Sequence, residues 1–490
     1  MAPIKLAGGY YQARSLIANA QRCVNLFPEK NPDDAPFPYT LYPTSGLTLL
    51  TQAAGSMWRG LYFTSTGVLI GVLDNKVYSI SSSWTLTQLG VIGTTTGPVS
   101  IYENGIYVVI GDGSASGWTV LLSGLVFAPL SDPTGTFVGT TSVDFLDTYL
   151  LFNQPGTRNF YSSLSNEIAF DPLFIAAKTT QPDLLQKLLV VHKEFLLIGQ
   201  RTTEVWYDAG NANFPFASVP GVFLEVGTSA QWSPAKHDLN GFWLGQARDG
   251  MALVIMYNGY AVKSISTPAI SNQIGKYSVT ADAQGFCFRE AAHVFYVLTF
   301  PTADKTWTYD MTEGFWHERV SLDPATGSEH RWRVNCVTQA YGVLVGGDFA
   351  NGKLYQIDQN NPTEDGLPII RRRGLPHLTN EGKYLVHDRL RLDVETGTST
   401  LPSSAGFPGW WPEFGFTSSD LIALRWSDDR GRTWQADPRY MPLGAQGQTF
   451  TYPQWTQLGT ARDRVYELFW TSTGQVALNG AYADITPGTD

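Results

Sequence analysis

Short apolar runs separated by turn residues recur along most of the chain. Such runs, about four to eight residues long and bounded by Gly, Asn or Asp, are typical of buried β-strands. Examples lie at residues 68–73, 106–110, 149–152, 195–198 and 295–298. The 3.6-residue spacing of an amphipathic helix is not visible. The pattern therefore predicts an all-β protein.

A short motif with an aromatic or β-branched residue at its centre closes successive groups of these runs. Its copies are KVYSI at Tyr78, WTVLLS at Val120, NFYSS at Tyr161, EVWYD at Trp206, YAVKSI at Tyr260, TWTYD at Trp307 and KLYQID at Tyr355. The copies lie roughly 40 to 55 residues apart, which is close to the period of one four-stranded propeller blade. The repeat predicts a β-propeller of about seven blades, a closed ring with few free sheet edges.

The fourth period shows a predicted blade in detail. Strands are expected over 188–191, 195–198 and 204–207, with a turn at His192. The loop over 209–222 lengthens this period and carries Phe214 and Phe216. Extra length of this kind marks a candidate contact with another protein. The alternative, that both rings fill a junction between blades, is favoured by the paired aromatics and the pre-proline geometry.

A polar stretch, QNNPTEDGLP, follows Asp358 and predicts a linker. Beyond it, strands expected over 384–394, 422–426, 449–455 and 465–470 alternate apolar and polar residues, as in a half-buried antiparallel sheet. We therefore expect an N-terminal arm or closing segment at 1–50, a propeller at 51–360 and a C-terminal β-sandwich-like domain at 361–490. The triplet 371–373, three arginines, favours a solvated or interdomain role over a DNA clamp, because nothing aromatic or basic flanks it closely.

Composition indicates an ordered soluble protein, with 43% hydrophobic, 13% aromatic and 16% charged residues. Apolar stretches are too short for a membrane-spanning helix, and the N-terminus lacks a secretion signal, so we expect synthesis and assembly in a cytosol without membrane insertion. Cys23, Cys287 and Cys336 are too few and too scattered for a disulfide framework or a zinc site. No metal or cofactor is expected.

The formal net charge of −10 argues against a surface that grips nucleic acid through its phosphates. An acidic wall could still surround DNA, because it repels the polyanion and offers it few places to bind. The alternative is that the charge keeps the protein soluble.

Residues 427–434, SDDRGRTW, fit the Asp-box pattern S-x-D-x-G-x-T-W. Its defining residues are Ser427, Asp429, Gly431, Thr433 and Trp434. Here a hydroxyl or carboxylate caps backbone amides in a turn, Gly supplies a positive φ, and Trp packs beneath. Sialidases carry several such boxes, one per blade, which raises a glycosidase hypothesis. A single box outside the repeats supports it weakly.

Catalytic motifs give no support for an enzyme. The sequence has no phosphate loop, no G-x-S-x-G and no H-E-x-x-H, and a retaining glycosidase would need a carboxylate pair with an arginine cluster. Arginines available in the predicted blades are Arg59, Arg201, Arg248 and Arg289. We expect no catalytic residues.

An insert over 401–419 is rich in Gly, Pro and aromatic residues. Its rings include Trp410, Trp411 and Phe414. Adjacent tryptophans on a loop suit a binding hot spot, so we predict contact with a neighbouring subunit or another protein. The alternative is that they fold back on their own domain.

Several motifs occur in an order that resembles one family. They are RCVNLFPE at 22–29, YPTSGL at 42–47, NFPF at 213–216, FWLG at 242–245, SISTPAI at 264–270, FPTADKTW at 300–307, WHER at 316–319, WTQLG at 455–459 and ARDR at 461–464. The family is the packaged-DNA stabilisation proteins, or tail hub and head-completion nozzle proteins, of short-tailed bacteriophages.

The resemblance implies a structural protein of the virion tail. It implies a homo-oligomer, a hexameric ring, that docks below the portal and adaptor rings and receives a tail needle or plug and tail fibres or spikes. Such a nozzle retains the packaged genome and later conducts the DNA through its lumen without sequence-specific binding. The competing hypotheses are a sialidase-like glycosidase and a glycan-binding or scaffold propeller without catalysis.

Overall fold

The computed structural model describes residues 1–6, 8–211, 213–246, 252–323, 325–397, 421–444, 447–472 and 474–488. Nearly every described element is a β-strand, as predicted, and the one helix among these residues is Pro268–Ile274. This helix begins with Pro at its first turn, and the Thr267 side chain accepts a hydrogen bond from the backbone N–H of Ile270. It ends at Gly275.

Within the described residues, six blades each consist of four consecutive antiparallel strands. Blades 1 to 3 have the strands Trp58–Phe63, Leu69–Leu73, Lys76–Ile80 and Leu86–Val91; Ser100–Glu103, Tyr107–Gly111, Gly117–Leu121 and Val126–Pro129; Val143–Leu146, Tyr149–Asn153, Asn159–Ser163 and Phe170–Ala177. Blades 4 to 6 have the strands Leu185–Val191, Glu194–Gly199, Thr203–Asp208 and Phe216–Leu224; Ala235–His237, Asn240–Gln246, Ala252–Asn258 and Ala261–Ser264; Gln284–Glu290, His293–Phe300, Lys305–Asp310 and Phe315–Leu322. The propeller prediction is confirmed, and the six blades correct the expected number of about seven.

The seventh copy of the motif, at Tyr355, lies in a composite sheet that explains the difference. Among the described residues, this sheet takes three consecutive strands from the chain after blade 6, namely Val334–Ala340, Val343–Asp348 and Lys353–Asp358. The third of them pairs antiparallel with Gly46–Gln52, a strand that precedes blade 1. The first contacts the inner strands of blade 6 and blade 1, so this composite sheet, the closing sheet, completes the ring.

The C-terminal part is built from two sheets that share strands with the N-terminus. One sheet has the order Gln454–Thr456, Leu385–Val394, Leu478–Pro487, Tyr39–Pro43 and Leu26–Lys30, with Ala2–Ile4 and Thr460–Ala461 on its sides. The other extends blade 6 through Cys23–Val24, Arg371–Gly374, Asp463–Trp470, Leu421–Ser427 and Arg439–Pro442, with Glu329–Arg331 and Leu378–Thr379 on its sides. Short pairs complete the strands: Tyr11–Gln12 with Ala20–Gln21, and Thr363–Glu364 with Leu367–Pro368.

The core of the C-terminal part lies between these two sheets. Leu390, Leu392 and Ala481 from the first sheet join Leu424 and Trp470 from the second in one buried cluster. The expected sandwich is confirmed. One predicted strand is shorter than expected, because residues 449–453 form turns and irregular backbone before Gln454–Thr456. Pro453 fits this, since a proline has no N–H for the ladder.

Candidate functional site: the junction between propeller and sandwich

One continuous sheet connects the propeller to the sandwich. The outer strand of blade 6, Phe315–Leu322, pairs with Cys23–Val24, which in turn pairs with Arg371–Gly374. Arg371–Gly374 then pairs with Asp463–Trp470. An outer blade strand normally presents unpaired backbone groups to solvent. Here the N-terminal segment covers that edge and links it to the C-terminal domain.

Asn25 is the residue at which the N-terminal segment crosses from one sandwich sheet to the other. Its φ of 52° is a left-handed conformation that Asn tolerates better than most residues. Its buried side-chain amide donates to the carbonyl oxygens of Val320, at 2.9 Å, and Ile370, at 2.8 Å. Its side-chain oxygen accepts from the Val320 N–H at 3.0 Å. One side chain thus connects blade 6, the N-terminal segment and the start of the second domain.

Charged side chains form a network across the same junction. Arg22 donates to Glu318 of blade 6 at 2.9 Å, and Arg372 donates to Glu329 at 2.7 Å. Arg22 also lies 3.6 Å from Glu329, while Arg372 lies 3.7 Å from the buried Glu467. Burial alone raises the pKa of Glu329, but Arg372 and Arg22 lower it and the net shift is downward. The network links the propeller to the C-terminal domain.

The arginine triplet that was expected at the start of the second domain lies within this junction. Arg373 is fully buried and donates to the carbonyl oxygens of Leu6, at 2.8 Å, and Gly9, at 3.1 Å. It also donates to the side-chain oxygen of Gln21 at 2.5 Å. Arg371 is buried as well, and it donates to the Ser472 carbonyl at 3.2 Å. Two of the three guanidinium groups are therefore interior structural groups without access to DNA.

A second set of buried ionisable groups lies between blade 6 and the closing sheet. Arg319 is 1% exposed, and its guanidinium lies 5.2 Å from the ring of Phe288, 5.4 Å from Phe295 and 4.6 Å from Trp332. Its closest charge is Glu290, at 3.9 Å. Burial lowers the pKa of Arg319 to about 10, although Glu290 and Glu364 oppose the shift. This cation is stabilised mainly by aromatic faces.

Glu364 is a buried carboxyl in this region whose pKa lies near neutral pH. It is 4% exposed and belongs to the two-residue strand that pairs in parallel with Leu47 of the closing sheet. Burial raises the pKa of its carboxyl to about 7, against the lowering effects of Ser321, Arg333 and Arg319. The segment that leaves the propeller is thus held by backbone pairing and carries a buried carboxyl that titrates near neutral pH.

The Asp-box residues form a hydrogen-bonded turn after the strand Leu421–Ser427. Asp429 Oδ1 accepts from the Ser427 hydroxyl at 2.6 Å and from the Thr433 N–H at 2.8 Å, while Ser427 Oγ accepts from the Gly431 N–H at 2.7 Å. These bonds hold the pKa of Asp429 well below its usual range. Gly431 has a φ of 86°, and the half-buried Trp434 lies 5.0 Å from the Arg425 guanidinium. The turn uses all of these groups for its own structure.

The predicted aromatic contact residues fall into two groups. Phe216 is 3% exposed and packs on Phe195 and Tyr149, while the half-buried Phe214 packs on Phe160 and on Phe216 itself. This pair contributes to a core shared by blades 3 and 4, the alternative that the pre-proline geometry favoured. The second group, Trp410, Trp411 and Phe414, lies outside the described residues.

Among the arginines considered for a glycosidase, Arg59 has a structural role. Arg59 is 2% exposed, and its guanidinium donates to the carbonyl oxygens of Asp74, Thr94, Thr96 and Gly97. It therefore stabilises the loop between blades 1 and 2. Arg248 lies outside the described residues.

Neither a metal centre nor a spanning helix is found in the part of the chain that the structure describes. No group of three or more His, Cys, Asp or Glu side chains in the described ranges is arranged to hold a metal ion. The three cysteines are free. No described helix is long and apolar enough to cross a membrane.

The structural roles of Asn25, Glu318, Glu364 and Glu467 were not predicted from the sequence. A signal existed for Glu467, because it interrupts the apolar strand Asp463–Trp470 and a charge inside such a strand is rarely buried without a partner. Asn25 gave no comparable signal, since its role depends on two carbonyl groups that lie 295 and 345 residues further along the chain.

The fold and the junction define a class of protein, a β-propeller joined through a shared sheet to a C-terminal β-sandwich. The family model described as "Bacteriophage P22 Gp10, beta-propeller" matches residues 3–361, and "Bacteriophage P22 Gp10, beta-sandwich" matches residues 371–486. The chain belongs to this family of short-tailed phage tail proteins, which confirms the predicted family. It is a structural protein of the bacteriophage tail.

Several solved structures are similar to the chain at low sequence identity. The chain matches the computationally designed Ika8 protein with 11% identity, a TM-score of 0.39, and coverage of 63% of this chain and 99% of that chain. It matches the WD40 β-propeller domain of Doa1 with 12% identity, a TM-score of 0.40, and coverage of 64% and 96%. For U3-55K the identity is 13%, the TM-score 0.39, and the coverage 64% and 98%. The chain matches no curated protein sequence.

Proposed function

We propose that the protein is the nozzle of a short phage tail: it docks below the portal and adaptor rings, retains the packaged DNA and conducts it during ejection. The observation that carries the proposal is the family match, which covers the propeller and the sandwich in order. The role is mechanical and needs no catalytic residue. The protein is made in the host cytoplasm and joins the virion tail.

Six copies form a closed ring in this proposal. A ring of identical subunits uses head-to-tail contacts that close by rotation. Each contact should bury at least about 1,600 Å², the size of a standard stable interface. The formal net charge of −10 supports a lumen with an acidic wall, past which DNA moves without binding. The ring also receives the tail needle or plug and the fibres or spikes.

In this proposal the ranges 1–50, 51–360 and 361–490 have different roles. We assign the first to closure of the fold, the second to the ring scaffold and the third to contacts along the tail. The charged network of Arg22, Arg372 and Glu467 supports this assignment, because it resists separation of the two domains when pressurised DNA pushes on the ring.

Within the third range, Trp410, Trp411 and Phe414 are the proposed contact residues. Replacing Trp410 and Trp411 with Ala should leave a soluble chain that no longer assembles on heads, since a few aromatic residues carry most of an interface's energy. Phe450→Ala is the matched control, because Phe450 is 86% exposed in the same domain. Co-sedimentation with adaptor-bearing heads measures assembly. Normal assembly of the double variant contradicts the contact role.

Genome retention tests the whole proposal. Purified protein is added to DNA-filled, tailless heads that carry the adaptor but lack this protein, and the fraction of genome protected from nuclease is measured. Protection that rises with protein and saturates near six copies per head is the expected result. Unchanged leakage with a folded chain bound to the heads would assign the protein to a peripheral tail position instead.

A further inference from the structure

Side chains from the inner strands of five blades meet at the centre of the propeller. In chain order they are Tyr62, Tyr102, Asp144, Lys187 and Lys236, one from each of blades 1 to 5. The inner strands of neighbouring blades contact each other around the central axis. We call these five residues, with Trp232 beside them, the axial cluster.

A cross-axis ion pair organises the axial cluster. Lys236 Nζ of blade 5 lies 3.1 Å from both carboxylate oxygens of Asp144 of blade 3. The ion pair therefore joins two blades that are not neighbours, with blade 4 between them. Asp144 Oδ2 also accepts from the Val190 N–H of blade 4 at 2.8 Å. The Lys236 amine lies 5.3 Å from the ring of Tyr102, which contacts Tyr62 with ring centroids 5.4 Å apart. Asp144 and Lys236 neutralise each other.

Lys187 provides a second cation in the same space. Its amine lies 4.8 Å from the ring centroid of Trp232, and among the described residues no carboxylate lies within 4.0 Å of it. Burial lowers the pKa of Lys187 to about 8, with Asp144 raising it and Lys236 lowering it further. Lys187, Trp232 and Tyr102 are each half-buried, so water reaches them.

We propose that the axial cluster is a binding site for a small anionic group, a carboxylate or a phosphate, held between Lys187 and Lys236. Asp144 is paired with Lys236, and Glu103, the other carboxylate near Tyr62 and Tyr102, accepts from the Ser65 N–H at 2.6 Å. Lys187 is therefore the cation of the cluster that is available to bind an anion. The rings of Trp232 and Tyr102 lie against the amines of Lys187 and Lys236, and this partial removal from water strengthens charge-assisted hydrogen bonds to an anion.

Calorimetric titration of the full chain tests the proposal with three probes at pH 7: inorganic phosphate, glucuronate and glucose. Saturable binding of phosphate alone, of glucuronate alone or of both identifies the anionic group, and glucose should not bind. Lys187→Met should weaken binding at least about tenfold, the effect of losing one charge-assisted hydrogen bond. Lys193→Met is the matched control, because Lys193 is exposed in the turn after the same strand.

The pH dependence of binding adds a readout that a purely structural lysine would not affect. Binding of glucuronate, which stays ionised, should weaken as the pH rises through about 8 and Lys187 loses its proton. No saturable binding of either anion, or equal affinities for the wild type and Lys187→Met, overturns the proposal. Lys187→Met should protect the genome as well as the wild type does, so the nozzle proposal and this site are tested separately.

Discussion

Glu364 should destabilise the folded protein at neutral pH, and Glu364→Gln should remove that effect. Its carboxyl has an ordinary pKa of 4.5 and a folded-state pKa of about 7. Below pH 4.5 the carboxyl is protonated in both states and costs nothing. Between pH 4.5 and 7 the unfolded chain releases the proton while the folded chain keeps it, so the free energy of unfolding falls as the pH rises.

The magnitude follows from the two pKa values. Each tenfold difference in proton affinity corresponds to about 1.36 kcal/mol, so the rise to about 7 corresponds to about 3 kcal/mol. Gln has nearly the same shape as the protonated acid and cannot ionise. Relative to the wild type, Glu364→Gln should therefore be of similar stability at pH 4.5 and more stable by about 3 kcal/mol above pH 7.

Urea unfolding of the wild type and Glu364→Gln at pH 4.5, 6 and 7.5 measures the effect. Glu381→Gln is the control, because it removes the same charge from an exposed turn of the sandwich. Its difference from the wild type should be small at every pH. A Glu364→Gln protein that is less stable than the wild type at pH 7.5, or a stability difference that does not change with pH, would refute the reasoning.

Two further predictions concern residues that fix the junction and the blades. Arg373→Met should lower the free energy of unfolding by about 3 kcal/mol and speed proteolysis within residues 1–22, because the carbonyl oxygens of Leu6 and Gly9 lose a buried donor; unchanged cleavage there would contradict this. Phe216→Ala should cost about 3 to 5 kcal/mol in urea unfolding, the usual penalty for a cavity in an aromatic core. A cost under about 1 kcal/mol would show that Phe216 packs loosely.

Local sequence patterns were sufficient to predict the strands within the blades. In blade 4 the strands expected over 188–191, 195–198 and 204–207 correspond to Leu185–Val191, Glu194–Gly199 and Thr203–Asp208. His192 takes a φ of 59° in the turn between the first two. These strands pair with their neighbours in sequence, so period-2 alternation and turn residues contain most of the information needed.

Long-range pairing was not predictable in the same way. Gly46–Gln52 completes the closing sheet with a strand about 300 residues later, and Cys23–Val24 joins blade 6 to the sandwich. A short strand reveals little about its partner, because backbone pairing is largely independent of residue type. Counting motif copies therefore gave the number of sequence repeats. It could not show that the last repeat pairs with a strand from the N-terminal segment, Gly46–Gln52.

The candidate sites differ in the same way, because one depends on local contacts and the other on contacts between distant segments. The Asp-box turn could be read from eight consecutive residues, since its hydrogen bonds are local. The junction network could not, because Arg22, Glu318 and Glu467 come from three distant segments. Buried charges of this kind become visible only when the strands that carry them are placed side by side.

The most direct test of the account is a cryo-electron microscopy reconstruction of the virion that contains this protein, made without imposed symmetry on the tail. We predict six copies of the propeller and sandwich in one ring immediately below the adaptor, around a lumen that holds DNA. Copies on the capsid shell, a ring that does not surround the DNA path, or absence of the protein from the virion would contradict the account.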